Sequence, residues 1–404
     1  MAAGLSVTTL FAISAVLAVS FVIGELFERI GLESIIGYIF AGLLLGPGLS
    51  EAAKIFTFID PGWAISAEAL AGFGTIGSTL ILFQAGLREE NAVDIFRHRK
   101  GLDLGLGVLI GSFTFILGAL LLFGEQFLPF SGIQQFIFIA LAYAMIDIGV
   151  PSKIMLSRGM LDRELGKYTI KASVINVTAG FGLLTVLVLT TASTLQSLAI
   201  QIAGILGFAA VFFVLHNFIH KIDDYIIMFE EAEAQFAITF ALLLSMAYVT
   251  ELIGLSSVVG AFFAGVIVSR SEFSESRAFQ EKIKAISLGL FIPLFFAWFG
   301  LGLTITGPNG MLANMEAALF LFGLSTVSKL AIGYVIPKIH EFDSPFTVAG
   351  SLLSLDIETL VVLLIGIDIG IFQSSQVLQI FAPAVLFTTI TIVGIYAGLD
   401  KLRE

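Results

Sequence analysis

Cysteine is missing altogether from the 404-residue chain. Disulfides, thiolate metal sites and cysteine nucleophiles are excluded with it. Charge is scarce too. Only 13% of residues are charged against 57% hydrophobic, whereas a soluble globular domain has about 25% and about 45–50%. That leaves too little polar surface to cover a water-facing fold. The composition argues against a cytosolic enzyme, a secreted domain, a disordered chain and a nucleic-acid binder. Histidine is limited to His98, His216, His220 and His340. Their scatter argues against a zinc site and reads as ordinary loop or helix-end residues. What is abundant is apolar: the mean hydropathy is +1.02, as for a polytopic protein in a lipid bilayer. The net charge of −11 is carried mostly by loops and reads as solvated surface.

A helical span needs about 20 mostly apolar residues to cross a hydrocarbon core about 30 Å thick. Backbone groups cannot go unpaired there, so a closed β-barrel is the other option. Barrel strands alternate polar and apolar residues, whereas this chain has long apolar runs such as Phe236 to Val249. The sequence therefore predicts an all-α polytopic membrane protein of about thirteen spans. They lie at approximately 6–27, 32–46, 67–87, 101–123, 132–156, 166–191, 196–219, 233–252, 255–270, 283–304, 314–337, 345–370 and 376–398. The first span lacks a basic start and ends on Glu25 and Glu28, so it reads as retained, not as a cleaved signal peptide. Lys and Arg collect in cytoplasmic loops. In this reading every basic residue except Lys54 and Lys329 falls on one side. The N-terminus is then expected outside and the C-terminus in the cytoplasm. Gly72, Gly74 and Gly77 have dinucleotide-fingerprint spacing, but no strand precedes them. With Gly105 and Gly107 they read as helix-packing glycines.

Ionisable groups inside spans are expensive and mark functional candidates. Asp147 precedes Gly149 and Pro151 in the fifth span. Proline lacks an N–H and clashes with the preceding turn, so a break is expected near Gly149-Val150-Pro151. A discontinuous helix at membrane depth suits an ion site; a half-helix cap is the alternative role for Asp147. Lys329 either snorkels to the interface or needs a buried partner. Asp356 and Glu358 lie near the middle of the twelfth span, two residues apart, and point to different faces. A second break is one explanation and favourable acids at a half-helix N-terminus another. Asp368 reads as interfacial. Asn176, in the sixth span, fits interhelical hydrogen bonding as well as ion binding.

Four stretches carry a resemblance to a known family. Ile36-Gly37-Tyr38-Ile39-Phe40-Ala41-Gly42-Leu43-Leu44-Leu45-Gly46-Pro47 looks like a second-span signature, and Leu82-Phe83-Gln84-Ala85-Gly86-Leu87 like a third-span ending. The stretch from Glu251 to Gly265 is similar to a ninth-span signature, and Phe291 to Phe296 followed by Gly300 to a tenth. In this order the chain resembles the Kef-type branch of the monovalent cation:proton antiporter superfamily. The resemblance implies inverted repeats over 1–191 and 231–404 joined by a linker span in 192–230. It implies a homodimer built on spans 1–3 and 8–10 and a mobile core of spans 4–6 and 11–13. Spans five and twelve would be broken, crossing helices. Lys329 looks like the family's core lysine, and Glu358 like the glutamate of a Gly-Glu pair, although Ile357 replaces the glycine. A cytosolic nucleotide-binding domain, often appended in this branch, would here be a separate regulatory subunit or absent. The expected location is a prokaryotic inner membrane.

One departure matters. The family's sixth span carries Asp-Asp, Asn-Asp or Gln-Asp, where this chain has Asn176-Val177, registered by Gly180. Val177 binds neither cation nor proton. The leading expectation is that Asp147 takes over the exchangeable carboxylate, with neutral oxygens from Asn176, Ser173 and Thr178. Lys329 would pair with Asp147 when the site is empty. Asp147 and Asn176 would then hold Na+ or K+ as a transported substrate, without a resident cofactor. A net-positive site carrying an anion or organic solute is a rival, and a non-transporting sensor another. An enzyme is not expected: only Asp147 and Asp356 could form an aspartyl pair, and neither sits in a motif for that chemistry.

Overall fold

The computed structural model describes residues 7–29, 34–56, 58–87, 99–146, 163–190, 199, 202–204, 206–208, 210–214, 232–252, 257–271, 274, 276–355, 357–372 and 376–401. Regular structure among them is helical. Among the described residues, eight helices are long and apolar enough to cross a membrane. The other expected spans are shorter, interrupted or outside the described residues: 71–87 and 257–268 are short helices, and 345–370 is two.

The chain divides into two compact units, each drawn from two separated stretches. Unit one comprises residues 1–90 and 191–305. Its helices are α1 (Val7–Arg29), α2 (Ser34–Leu43), α3 (Leu49–Ile55), α4 (Ala71–Leu87), α8 (Ala232–Leu252), α9 (Ser257–Val268), α10 (Arg277–Ile286) and α11 (Ile292–Leu301). Unit two comprises residues 91–190 and 306–404. It contains α5 (Arg99–Phe127), α6 (Ile133–Ala144), α7 (Glu164–Leu189), α12 (Met315–Ile339), α13 (Pro345–Ser351), α14 (Ile357–Asp368) and α15 (Gln376–Lys401).

Unit one is organised by glycine. A Cβ on Gly42 of α2 would collide with the Ala297 carbonyl oxygen of α11, and one on Gly300 of α11 with the Ile39 carbonyl oxygen. A Cβ on Gly86 of α4 would collide with the Phe262 carbonyl oxygen of α9, and one on Gly265 of α9 with the Phe83 carbonyl oxygen. The two crossings obey one rule: each glycine sits on the carbonyl three residues before the partner glycine. Small residues let helix backbones approach when lipid supplies no hydrophobic drive for association. The rule also exposes a sequence repeat, Gly37…Ala41-Gly42 against Gly260…Ala264-Gly265. Two wide turns absorb prolines in this unit. Pro47 lies within a π-turn at Leu44–Gly48, and Pro293 follows another at Ser287–Phe291. An inserted residue removes the clash that proline makes with the preceding turn.

Unit two is centred on α5 and α12, which pack together; α5 also packs on α6 and α7, and α12 on α13 and α15. Leu104, Val108, Ile146, Tyr168, Ala172, Val348 and Leu352 form one of its cores. Gly105 packs against Ala172 and Ile175, and Gly107 against Ile336, as packing glycines should. Gly74 and Gly77 of unit one pack likewise, against Trp298 and Phe295, whereas Gly72 faces open space and the packing reading fails there. His340 stands at the end of α12, with Nε2 3.4 Å from Asp103.

The glycine contacts make a test. Gly42→Ala puts a methyl group into a backbone carbonyl that has no room to move. It should destabilise the purified protein by about 1–3 kcal/mol, read as earlier thermal unfolding. Gly72→Ala, in open space, should leave unfolding unchanged or slightly later.

Candidate functional site

Two helices of unit two, α6 and α13, stop short of the length needed to cross a membrane. α6 stops at Ala144, and Met145 turns extended with φ −68° and ψ 151°. The break was expected near Gly149-Val150-Pro151, but helix geometry ends before Asp147 is reached. The physical reason is that side chains from other helices take over the backbone groups the helix would have used. α13 stops at Ser351, and α14 begins at Ile357. Each interruption frees N–H and C=O groups that must find partners within the protein at membrane depth.

Asn176 of α7 serves the first break. Its Oδ1 accepts the Ile146 N–H at 2.9 Å, and its Nδ2 donates to the Gly105 carbonyl of α5 at 3.3 Å. This reach depends on glycine: a Cβ on Gly105 would lie 2.5 Å from the Ala172 carbonyl, so α5 and α7 pack at backbone distance. Gly180 does the same for Met145: a Cβ on Gly180 would lie 2.8 Å from the Met145 Cε.

α12 serves both breaks from one face. Ser325 and Lys329 are four residues apart and so lie one above the other. Ser325 Oγ donates to the Tyr143 carbonyl at 2.8 Å. Lys329 Nζ donates to the Met145 carbonyl at 2.6 Å and to the Ser354 carbonyl at 3.4 Å. Lys329 is fully buried, which removes the snorkelling alternative. An ammonium at the C-terminal end of α6, and close past the end of α13, also meets their partial negative charge. The amine thus ties the α6 break to the α13–α14 break.

The remaining candidates can now be placed. Glu358 is 4% exposed and stands in the first turn of α14, where a half-helix N-terminus favours an acid. Lys329 and Glu358 are the charged residues that are buried among the described ones. Ser173 is buried and its hydroxyl donates to the Thr169 carbonyl; Thr178 is half-buried. Val177 is fully buried and apolar. Asp368 is exposed at the end of α14. Asp147 and Asp356 lie outside the described residues. Among the described residues there is no group of three His, Asp or Glu side chains poised around a metal. The structure thus brings Asn176 and Lys329 to consecutive backbone groups of one break. Ser325 was not singled out from sequence, and Gly105 was read only as a packing glycine; the i, i+4 spacing of Ser325 to Lys329 was the available signal.

Residues 15–398 match the sodium/hydrogen exchanger transmembrane family. The chain belongs to that family. It is 27% identical over 385 residues to an Na+/H+ antiporter of Enterococcus hirae, covering 90% of this chain and 91% of the relative. It is 22% identical over 391 residues to the Na+/H+-K+ antiporter GerN of Bacillus cereus, covering 94% of each. In fold it is similar to the sodium proton antiporter MjNhaP1 from Methanocaldococcus jannaschii, with a TM-score of 0.61 at 13% identity over 96% of this chain and 95% of the other. This is an integral membrane protein of a transporter family.

Lys329→Met removes the amine that serves two freed carbonyls. Loss of hydrogen bonds to buried backbone groups should destabilise the protein by about 1–3 kcal/mol. Thermal unfolding of purified variants reads this, and unchanged unfolding would contradict the bridging role.

Proposed function

We propose that this chain exchanges a monovalent cation, Na+ or K+, for protons by alternating access. The observation that carries the reading is the pair of interrupted helices, joined by a buried ammonium within one unit of an exchanger-family chain. A cation is drawn to such a crossing because freed carbonyls and neutral oxygens can replace its water. A proton competes for the same place when a carboxylate there can take either. Asp147 fills this role in our reading, since Val177 cannot. It follows Ile146, whose N–H is held by Asn176, and it lies two positions after Met145, whose carbonyl is held by Lys329. Lys329 then competes with the cation electrostatically, and Asn176, Ser173 and Thr178 line the approach.

Unit two is the part that moves and unit one the scaffold, on which a homodimer forms. Each unit's construction from two separated stretches supports this assignment. The repeated glycine rule in unit one supports paired repeats, which we take to be inverted. The basic residues gathered on one side support an outside N-terminus and a cytoplasmic C-terminus in a prokaryotic inner membrane. Any regulatory subunit would act from the cytoplasmic side. The chain carries out transport and no bond-making chemistry, and its ions are cargo, not cofactors.

Cation flux driven by a pH gradient in proteoliposomes tests the assignment. Asp147→Asn should lower exchange about tenfold or more while unfolding at the wild-type temperature. Undiminished exchange would remove Asp147 from the mechanism.

A further inference from the structure

Unit one holds a cavity of about 290 Å³ where the last turn of α4 meets one face of α10, from Phe279 to Lys284. Its polar lining is Gln84, Ser274, Gln280 and Lys284; its apolar wall is Leu87, Phe279 and Ile283. None of these residues takes part in the helix breaks of unit two, so the cavity is unexplained by ion exchange.

Its chemistry is one-sided. Among the described residues of the lining, Lys284 is the formal charge and none is a carboxylate. Glu281, on the same helix, is engaged by Arg277 at 2.7 Å. Gln84 Nε2 is buried and without a hydrogen-bond partner among the described residues. So is the hydroxyl of Ser271, in the turn that supplies Ser274. Ser274 gives its own proton to the carbonyls of Ser271 and Ser269, at 2.7 and 3.2 Å, and shapes the wall without offering a donor. A buried donor that has lost water and found no acceptor gains when a ligand brings one. The donors available to a guest are therefore Gln84 from α4, and Gln280 and Lys284 from α10. A carboxylate presents two oxygens in one plane, whereas a phosphate presents oxygens in several directions and can meet donors from two helices. The volume stands at the lower end for small-molecule sites, which span about 300–1,000 Å³. It suits a phosphate on a few carbons and is small for a nucleotide.

We propose that this cavity binds a phosphate ester with a short glycerol-like body, held by the Lys284 charge and the Gln84 amide, its carbons against Leu87 and Phe279. Two sources carry that chemistry: a soluble glycerol phosphate and the head group of an anionic phospholipid.

The test uses the full chain, stripped of lipid, with thermal unfolding followed during titration with sn-glycerol 3-phosphate or with glycerol. A ligand selective for the native state raises the unfolding temperature by mass action. The ester should raise it in a saturable way and glycerol should not. Lys284→Gln and Gln84→Leu should unfold like wild type without ligand and bind the ester about tenfold more weakly or worse, a loss of about 1.4 kcal/mol. An equal rise in wild type and both variants would mark a general salt effect and overturn the proposal, as would no rise in wild type. Repeating the titration in phosphatidylcholine nanodiscs identifies the source. Abolition of the shift by added phosphatidylglycerol assigns the lipid head group, and persistence of the shift assigns the soluble ester.

Discussion

Hydrocarbon offers no hydrogen bonds, so a helix that stops inside a membrane must hand its backbone groups to other parts of the protein. The core of unit two follows from this constraint. The end of α6 and the gap between α13 and α14 expose carbonyls and an N–H, and three side chains take them up. Asn176 and Ser325 do so with neutral hydrogen bonds and Lys329 with a charge. A neutral donor could satisfy the Met145 carbonyl equally well. A charge adds affinity for two half-helix C-termini at once, and it gives an incoming cation something to displace. Structure and proposed transport therefore share one residue.

The same economy of backbone contact appears in unit one in a different form. There carbonyls of neighbouring helices rest directly on glycines. Four glycines and four carbonyls make two equivalent crossings, α2 with α11 and α4 with α9. Side chains would hold these helices apart. Lipid tails are as apolar as leucine, so close van der Waals contact has to supply the association energy that water exclusion supplies in soluble folds. Close backbone contact of this kind would suit the scaffold role proposed for unit one.

Much of this was legible in the sequence, for identifiable reasons. Composition alone reveals the bilayer as solvent, because the missing charge can be counted. The family signatures around Gly42, Gly86, Gly265 and Gly300 are visible because close helix contact tolerates no side chain. Lys329 stands out because a lysine amid apolar residues is costly and needs a partner. The identity of that partner was hidden. Carbonyls of Met145 and Ser354 are backbone atoms, common to every sequence, and only the fold brings them to the amine. The first break begins earlier than Pro151 suggests, for a related reason; Gly149-Val150-Pro151 itself lies outside the described residues. Pro151 draws the eye as a helix breaker, yet α6 ends earlier, where Asn176, some thirty residues along the chain, captures the Ile146 N–H. Asn176 was open between two roles, and the structure engages both ends of its amide with backbone.

The account rests on the capture of the α6 break by side chains of α7 and α12. Hydrogen–deuterium exchange of the peptide ending at Ile146, compared between wild type and Asn176→Ala, examines that capture at its weakest link. The account predicts a slowly exchanging amide at Ile146 that is released in the variant, with peptides of unit one unaffected. An Ile146 amide that exchanges equally fast in both proteins would contradict it.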